Sequence, residues 1–152
     1  MNHFKEMNPN SKLWIYQANR ELTSTEIDWI QTQLDAYTAD WAAHGNQLHA
    51  AAKTLENHFI ALAVDSTQAV ASGCSVDNSV RFIKDLGKEL KVDFFDRLKM
   101  ISENHAGEKK YVSYKQLAEN PTDFVYNPLV NRLGDLDSKF KMQIDAFLNL
   151  VS

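Results

Sequence analysis

A single cysteine in 152 residues, Cys74, leaves nothing for an internal disulfide and rules out a cysteine-rich metal site. That usage is the one expected in a reducing compartment. A basic excess is missing too: 16 lysines and arginines stand against 20 aspartates and glutamates, a net charge of −4. Proteins that bind a phosphate backbone usually show a basic face that displaces counterions, so neither DNA nor an anionic membrane is an expected partner. Long apolar runs are absent. The longest, Phe59 to Val64, is far short of the roughly 20 residues that a membrane-spanning helix needs. Residues 1–11 hold no apolar stretch of the kind a secretory signal carries, so the expected location is the cytoplasm. Gly-x-x-x-x-Gly-Lys-Ser/Thr, Gly-x-Gly-x-x-Gly and Gly-x-Ser-x-Gly are all missing, and no two histidines stand at helical ligand spacing. The expectation is no metal, no cofactor and no ATP hydrolysis.

What is present describes an ordinary globular chain, 44% apolar and 24% charged, without repeats or low-complexity tracts. At this length roughly two thirds of the unfolded surface can be buried, and a single domain over 1–152 is expected. Residues 1–11, with the turn-forming Asn8-Pro9-Asn10-Ser11, read as a frayed leader. Leu13-Trp14-Ile15-Tyr16 reads as a strand. Thr23 and Glu26 form a capping box ahead of Ile27, Ile30, Leu34, Tyr37 and Trp41, which predicts a helix over about 24–43 ended by His44-Gly45.

Two apolar runs, 48–55 and 59–65, flank the polar Glu56-Asn57-His58 and read as a hairpin. A three-residue loop places Leu48, Ala50 and Ala52 on the face of Ile60, Leu62 and Val64, whereas a two-residue loop would set Lys53 opposite Ile60 on the core face. The first register is therefore expected. A second helix over about 76–91 carries Val76, Val80, Ile83, Leu86 and Leu90 on one stripe, with Phe82 and Gly87 as imperfections. An extended segment over 94–101 and a turn at His105-Ala106-Gly107-Glu108 follow.

The resulting order is strand, helix, strand, strand, helix, strand. It is that of an α+β, ferredoxin-like split βαβ core over 12–114: an antiparallel sheet with two helices on one face. Residues 115–152 read as a helical extension, because Leu129, Leu133, Leu136, Phe140, Ile144, Phe147 and Val151 keep helical spacing, interrupted at Gly134.

Cys74 is the foremost candidate for chemistry. Beside the start of the second helix, a thiolate is stabilised by unpaired backbone amides and can act as a nucleophile. The competing reading is a small buried core residue, since free cysteine is among the most buried types. A third is an anion or ligand site built from Ser72, Gly73 and Ser75 with the helix amides. His49 and Asp65 face each other in the expected register, either as a carboxylate-oriented general base or as a surface pair of little energetic weight. Trp14 and Tyr16 alternate with Leu13 and Ile15. If they face outward with Phe59 they form an aromatic platform, able to stack RNA bases or to be covered by 115–152 or by a second subunit.

Trp14-Ile15-Tyr16-Gln17, Ser72-Gly73-Cys74-Ser75-Val76-Asp77, Phe82-Ile83-Lys84 and Phe95-Asp96-Arg97 resemble a family of short, uncharacterised bacterial proteins often labelled "ABC transporter ATPase". The resemblance covers about residues 13–100 and implies no activity; the label conflicts with the missing phosphate loop. The expected function is a non-enzymatic module that binds a protein or small molecule, with a homodimer through the sheet as one form. The alternatives are a thiol-dependent or redox-responsive protein using Cys74, and single-stranded RNA binding on the sheet face.

Overall fold

The computed structural model describes residues 3–67 and 69–152. A 3₁₀ turn at His3–Glu6 leads into strand β1 (Lys12–Gln17) and helix α1 (Ser24–Asp40). A small hairpin of β2 (Ala42–Ala43) and β3 (Asn46–Gln47) precedes a long one of β4 (His49–Leu55) and β5 (Phe59–Asp65), followed by helix α2 (Gly73–Leu90). Strands β6 (Met100–Glu103) and β7 (Lys109–Val112), helix α3 (Tyr114–Leu117), strand β8 (Phe124–Tyr126), helix α4 (Leu136–Lys139), strand β9 (Lys141–Gln143) and helix α5 (Ile144–Val151) complete the chain.

Two antiparallel sheets, ordered β1-β5-β4 and β7-β6-β8-β9, lie face to face between helices. On the outer face of the first sheet, Tyr16, Ile60, Leu62 and Val64 pack against Ile30 and Leu34 of α1 and Ile83 and Leu86 of α2. Its inner face offers Leu13, Ile15, Phe59, Ala61 and Ala63 to Ile101, Tyr126, Leu133 and Phe140. The outer face of the second sheet is closed by Leu117, Ile144 and Phe147 over Val112 and Val125. Burial on both faces explains why β5 is an unbroken apolar run rather than an alternating one, and alanines at 51, 61 and 63 let the two sheets approach.

The hairpin register is the expected one, with His49 opposite Asp65, Ala50 opposite Val64 and Ala52 opposite Leu62. Glu56 and Asn57 take positive φ in the loop, at 53° and 58°. Helix α1 opens on the expected capping box: Thr23 Oγ1 accepts from the Glu26 amide, and the Glu26 carboxylate accepts from the Thr23 amide. Two backbone groups on the exposed edge of β4 are satisfied by one side chain of α1: Gln31 donates to the Ala52 carbonyl and accepts from the Thr54 amide.

Six expectations are corrected. The first sheet has the order of the first three strands of a ferredoxin-like sheet, but the fourth strand does not join it. The place beside β1 is taken by residues 131–132: the Leu13 amide donates to the Asn131 carbonyl at 3.1 Å, and Lys12 forms a bridge with Arg132. The segment read as extended from 94 is held irregular instead. Asp93 and Asp96 accept from the Phe95 and Leu98 amides, and pairing starts only at Met100.

The extension is not one helix. Its apolar spacing serves two cores, Leu133 and Phe140 between the sheets and Ile144 and Phe147 outside them, and Lys141–Gln143 pairs with β8. The leader is packed: Phe4 is buried between the sheets, and the Pro9 and Ser11 carbonyls accept from the Gly134 and Leu133 amides. Helix α1 stops at Asp40, and His44 and Gly45, with φ of 51° and 80°, form the two-residue turn of the β2–β3 hairpin. Helix α2 starts three residues earlier than its apolar stripe, on an N-cap at Ser72.

Candidate functional site

The seam between the sheets closes around Phe59 but opens at the β1 edge. Residues Ile15 and Gln17 of β1 there meet Phe94, Met100, Leu129 and Phe147 around a groove of about 210 Å³. Its walls come from both sheets, from the irregular 94–99 segment and from α5. Apolar atoms dominate because Ile15 and Phe147 belong to the two cores that the seam separates. The rim keeps large apolar side chains in solvent: Leu129 is 58% and Tyr114 52% exposed.

Gln17 supplies the polar feature of the groove. It shares the inner-sheet face with Leu13 and Ile15, since alternate residues of a strand point the same way, and it is 8% exposed. Its Nε2 donates to the Lys99 carbonyl at 2.8 Å. That bond fixes the amide orientation, because a carbonyl can only accept. The other amide atom, Oε1, is buried and has no partner among the described residues. A buried acceptor left unpaired carries a desolvation cost of about 1–3 kcal/mol. Gln17, Asp96 and Lys99 also line an adjoining hollow of about 260 Å³ reached by Asn19 and Tyr111. Tyr111 is spoken for, its hydroxyl donating to the Ala18 carbonyl at 2.6 Å, and burial raises its pKa to about 12.

Charge around the groove is asymmetric. Arg97 and Lys99 line it, exposed, and neither makes an ion pair among the described residues. The Asp96 carboxylate caps the Leu98 amide at 2.9 Å.

Cys74 lies in the first turn of α2 and is exposed, which overturns its reading as a buried core residue. It borders an open cleft of about 620 Å³ together with Asp40, His44 and Trp41. A histidine remote in sequence is thus brought to the thiol's cleft by the β2–β3 turn. Trp41 Nε1 donates to the Ser75 carbonyl at 3.0 Å, and Tyr37 stacks on Phe82 at 4.1 Å with its hydroxyl donating to Asn78. This stacking accounts for Phe82, which stands off the apolar stripe. The hydroxyls expected to hold an anion are engaged locally: Ser72 Oγ accepts from the Ser75 amide, and Ser75 Oγ donates to the Ser72 carbonyl. Gly73 has open space around it.

His49 and Asp65 are opposite in register, but the Asp65 carboxylate accepts from the amide and hydroxyl of Thr67, at 3.0 and 2.7 Å. Those two bonds lower its pKa, with His49 only a minor contributor. The expected aromatic platform does not form. Trp14 and Tyr16 face the helices, Trp14 edge-on to Trp41 and Tyr16 edge-on to Phe95. Phe59 is fully buried on the opposite face against Tyr126 and Phe140. Both broad faces of the first sheet are therefore covered within the chain.

Among the described residues no cluster of three or more metal-ligating side chains occurs, and no helix is long and apolar enough to cross a membrane. No family model, curated protein or solved structure matches the chain.

Proposed function

We propose that the protein is a small-ligand-binding module whose site is the groove at the β1 edge of the two-sheet seam. The observation that carries this reading is the groove itself, whose apolar walls are drawn from both sheets and whose polar lining includes the nine-tenths buried Gln17, its amide held by the Lys99 carbonyl. Binding sites characteristically combine apolar walls with a few placed polar groups. Calorimetric titration with phenol, an apolar ring bearing one donor, tests it. The reading expects saturable binding that is lost in Leu129→Trp, where a larger side chain at an exposed rim position occludes the groove without disturbing the core. Identical binding by that variant, or no binding by the native chain, would contradict it.

A second reading, thiol-dependent chemistry or redox response at Cys74, is favoured by one observation: His44 and Asp40 border the same cleft as the exposed thiol. There His44 would serve as base and Asp40 as a charge partner for it. Under this reading, His44→Ala slows alkylation of Cys74 at neutral pH. Equal rates in both proteins would remove it.

A further inference from the structure

We infer that the turn at residues 3–7 is a detachable plug. It closes the seam beside β4 by placing one aromatic side chain between the sheets, and it opens while the rest of the chain stays folded. This holds whatever the groove at the β1 edge binds.

Fastening along this part of the chain changes at Pro9. From there onward the backbone is tied to a distant segment: the Pro9 and Ser11 carbonyls accept from the Gly134 and Leu133 amides at 2.8 and 2.9 Å, and Arg132 Nε donates to the Asn10 side chain at 3.1 Å. Ahead of Pro9 the bonds turn inward. The Met7 amide donates to the Phe4 carbonyl, and the Asn8 carbonyl accepts from the Ser11 amide. Among the described residues, Phe4 to Met7 make no hydrogen bond or ion pair to any other element. Lys5 and Glu6 are exposed. What holds the turn is Phe4, 9% exposed in the core between the sheets, with the partly buried Met7 beside that core and the Lys53 ammonium 5.6 Å from the ring centre. The turn is also undercut: Glu6 and Met7 line an open hollow of about 710 Å³ together with Ala50 and Ala51 of β4. The burial of Phe4 is thus set against the conformational freedom of about five residues, two opposing quantities of comparable size. A segment held in this way opens locally at a small part of the global cost. The bonds at Pro9 and Ser11 mark where the opening stops, and release of Phe4 vacates the space of one aromatic ring in the seam.

Limited trypsin digestion of the full chain under native conditions tests this, because cleavage after Lys5 requires the residues around it to leave the seam and extend. The expected result is cleavage after Lys5 while Lys53 in β4 stays intact, at a rate that rises only slightly with urea, since the opening exposes little surface. Phe4→Ala should accelerate that cleavage about tenfold or more, measured relative to an unstructured peptide of the same local sequence, as loss of one phenylalanine's burial shifts the opening equilibrium. Phe4→Leu, which keeps an apolar side chain there, should accelerate it less. In each variant, an intact Lys53 shows that the rest of the chain remains folded. A Lys5 cleavage rate that rises with urea as steeply as that at Lys53 would show that the turn leaves only when the whole chain unfolds. An unchanged rate in Phe4→Ala would show that Phe4 does not hold it. Either result overturns the inference.

Discussion

Glu103 is a buried carboxylate whose ionisation supports the fold. It is buried at the end of β6, where Tyr126 donates to it at 2.8 Å, Lys109 approaches at 3.1 Å and Lys141 completes the cluster. Burial by itself raises the carboxyl's pKa, but hydrogen bonds from Lys141, Tyr126 and Lys109 outweigh it and hold the group at about 2. A carboxylate depressed in the folded state contributes stability that is fully present above its unfolded value, near 4.5, and is lost as pH falls through about 2. The Glu103→Gln variant should lose on the order of 2–3 kcal/mol at pH 7. Its urea midpoint should also fall less steeply than that of the native chain between pH 4.5 and 2. Glu26 titrates in the same window, held at about 2 chiefly by Arg20 and then by Thr23, so the difference between the two proteins isolates Glu103. Parallel acid profiles would contradict the assignment.

Cys74 gives a second prediction at this scale. An exposed thiol should react with iodoacetamide in the native protein without waiting for global unfolding, and Cys74→Ser should leave the melting temperature unchanged. Protection until unfolding would contradict its position. Neither Gln17 nor the exposure of Cys74 was legible in the sequence. The strand reading stopped at Tyr16, one residue short of showing a polar side chain in phase with Leu13 and Ile15. The helix reading began at the apolar stripe, which starts after the Ser72 cap and so hid the place of Cys74 in the first turn.

Among the elements, Gly87 illustrates why an apparent flaw in a pattern can be required. Alanine is favoured over glycine in a helix interior by about 1 kcal/mol, yet here a Cβ would sit 2.4 Å from the Val92 carbonyl oxygen. The chain turns back at Lys91, φ 56°, and the Val92 amide donates to the Gly87 carbonyl at 2.9 Å. Gly87→Ala should therefore destabilise by about 1–3 kcal/mol, as overpacking does, and denaturant unfolding measures it; a stabilised variant would refute the close approach. The elements that were legible depended on local rules. The capping box at Thr23 and the loop-defined register of β4 and β5 follow from spacing along a few residues. The extension was misread because Lys141-Met142-Gln143 forms a strand only by pairing with β8, a contact that periodicity cannot register. At Gly134, by contrast, a Cβ would meet the flexible end of the neighbouring Arg132 side chain at 2.5 Å, which can move aside.

At the scale of the molecule, covering the first sheet on both faces removes the surface on which stacking or dimerisation was expected and moves attention to the seam. Strands β1, β4 and β5 were readable as apolar runs. That residues 131–132 lie beside β1 was not, because that segment is more than a hundred residues from it in sequence. A small ligand is proposed to bind in the opening beyond this segment, and a phenol titration followed by amide NMR reads that binding residue by residue. The predicted result is saturable shifts confined to Gln17, including its side-chain amide, and to Phe94, Met100 and Phe147. Shifts centred on Trp41 and Cys74, or none at saturating concentration, would contradict it.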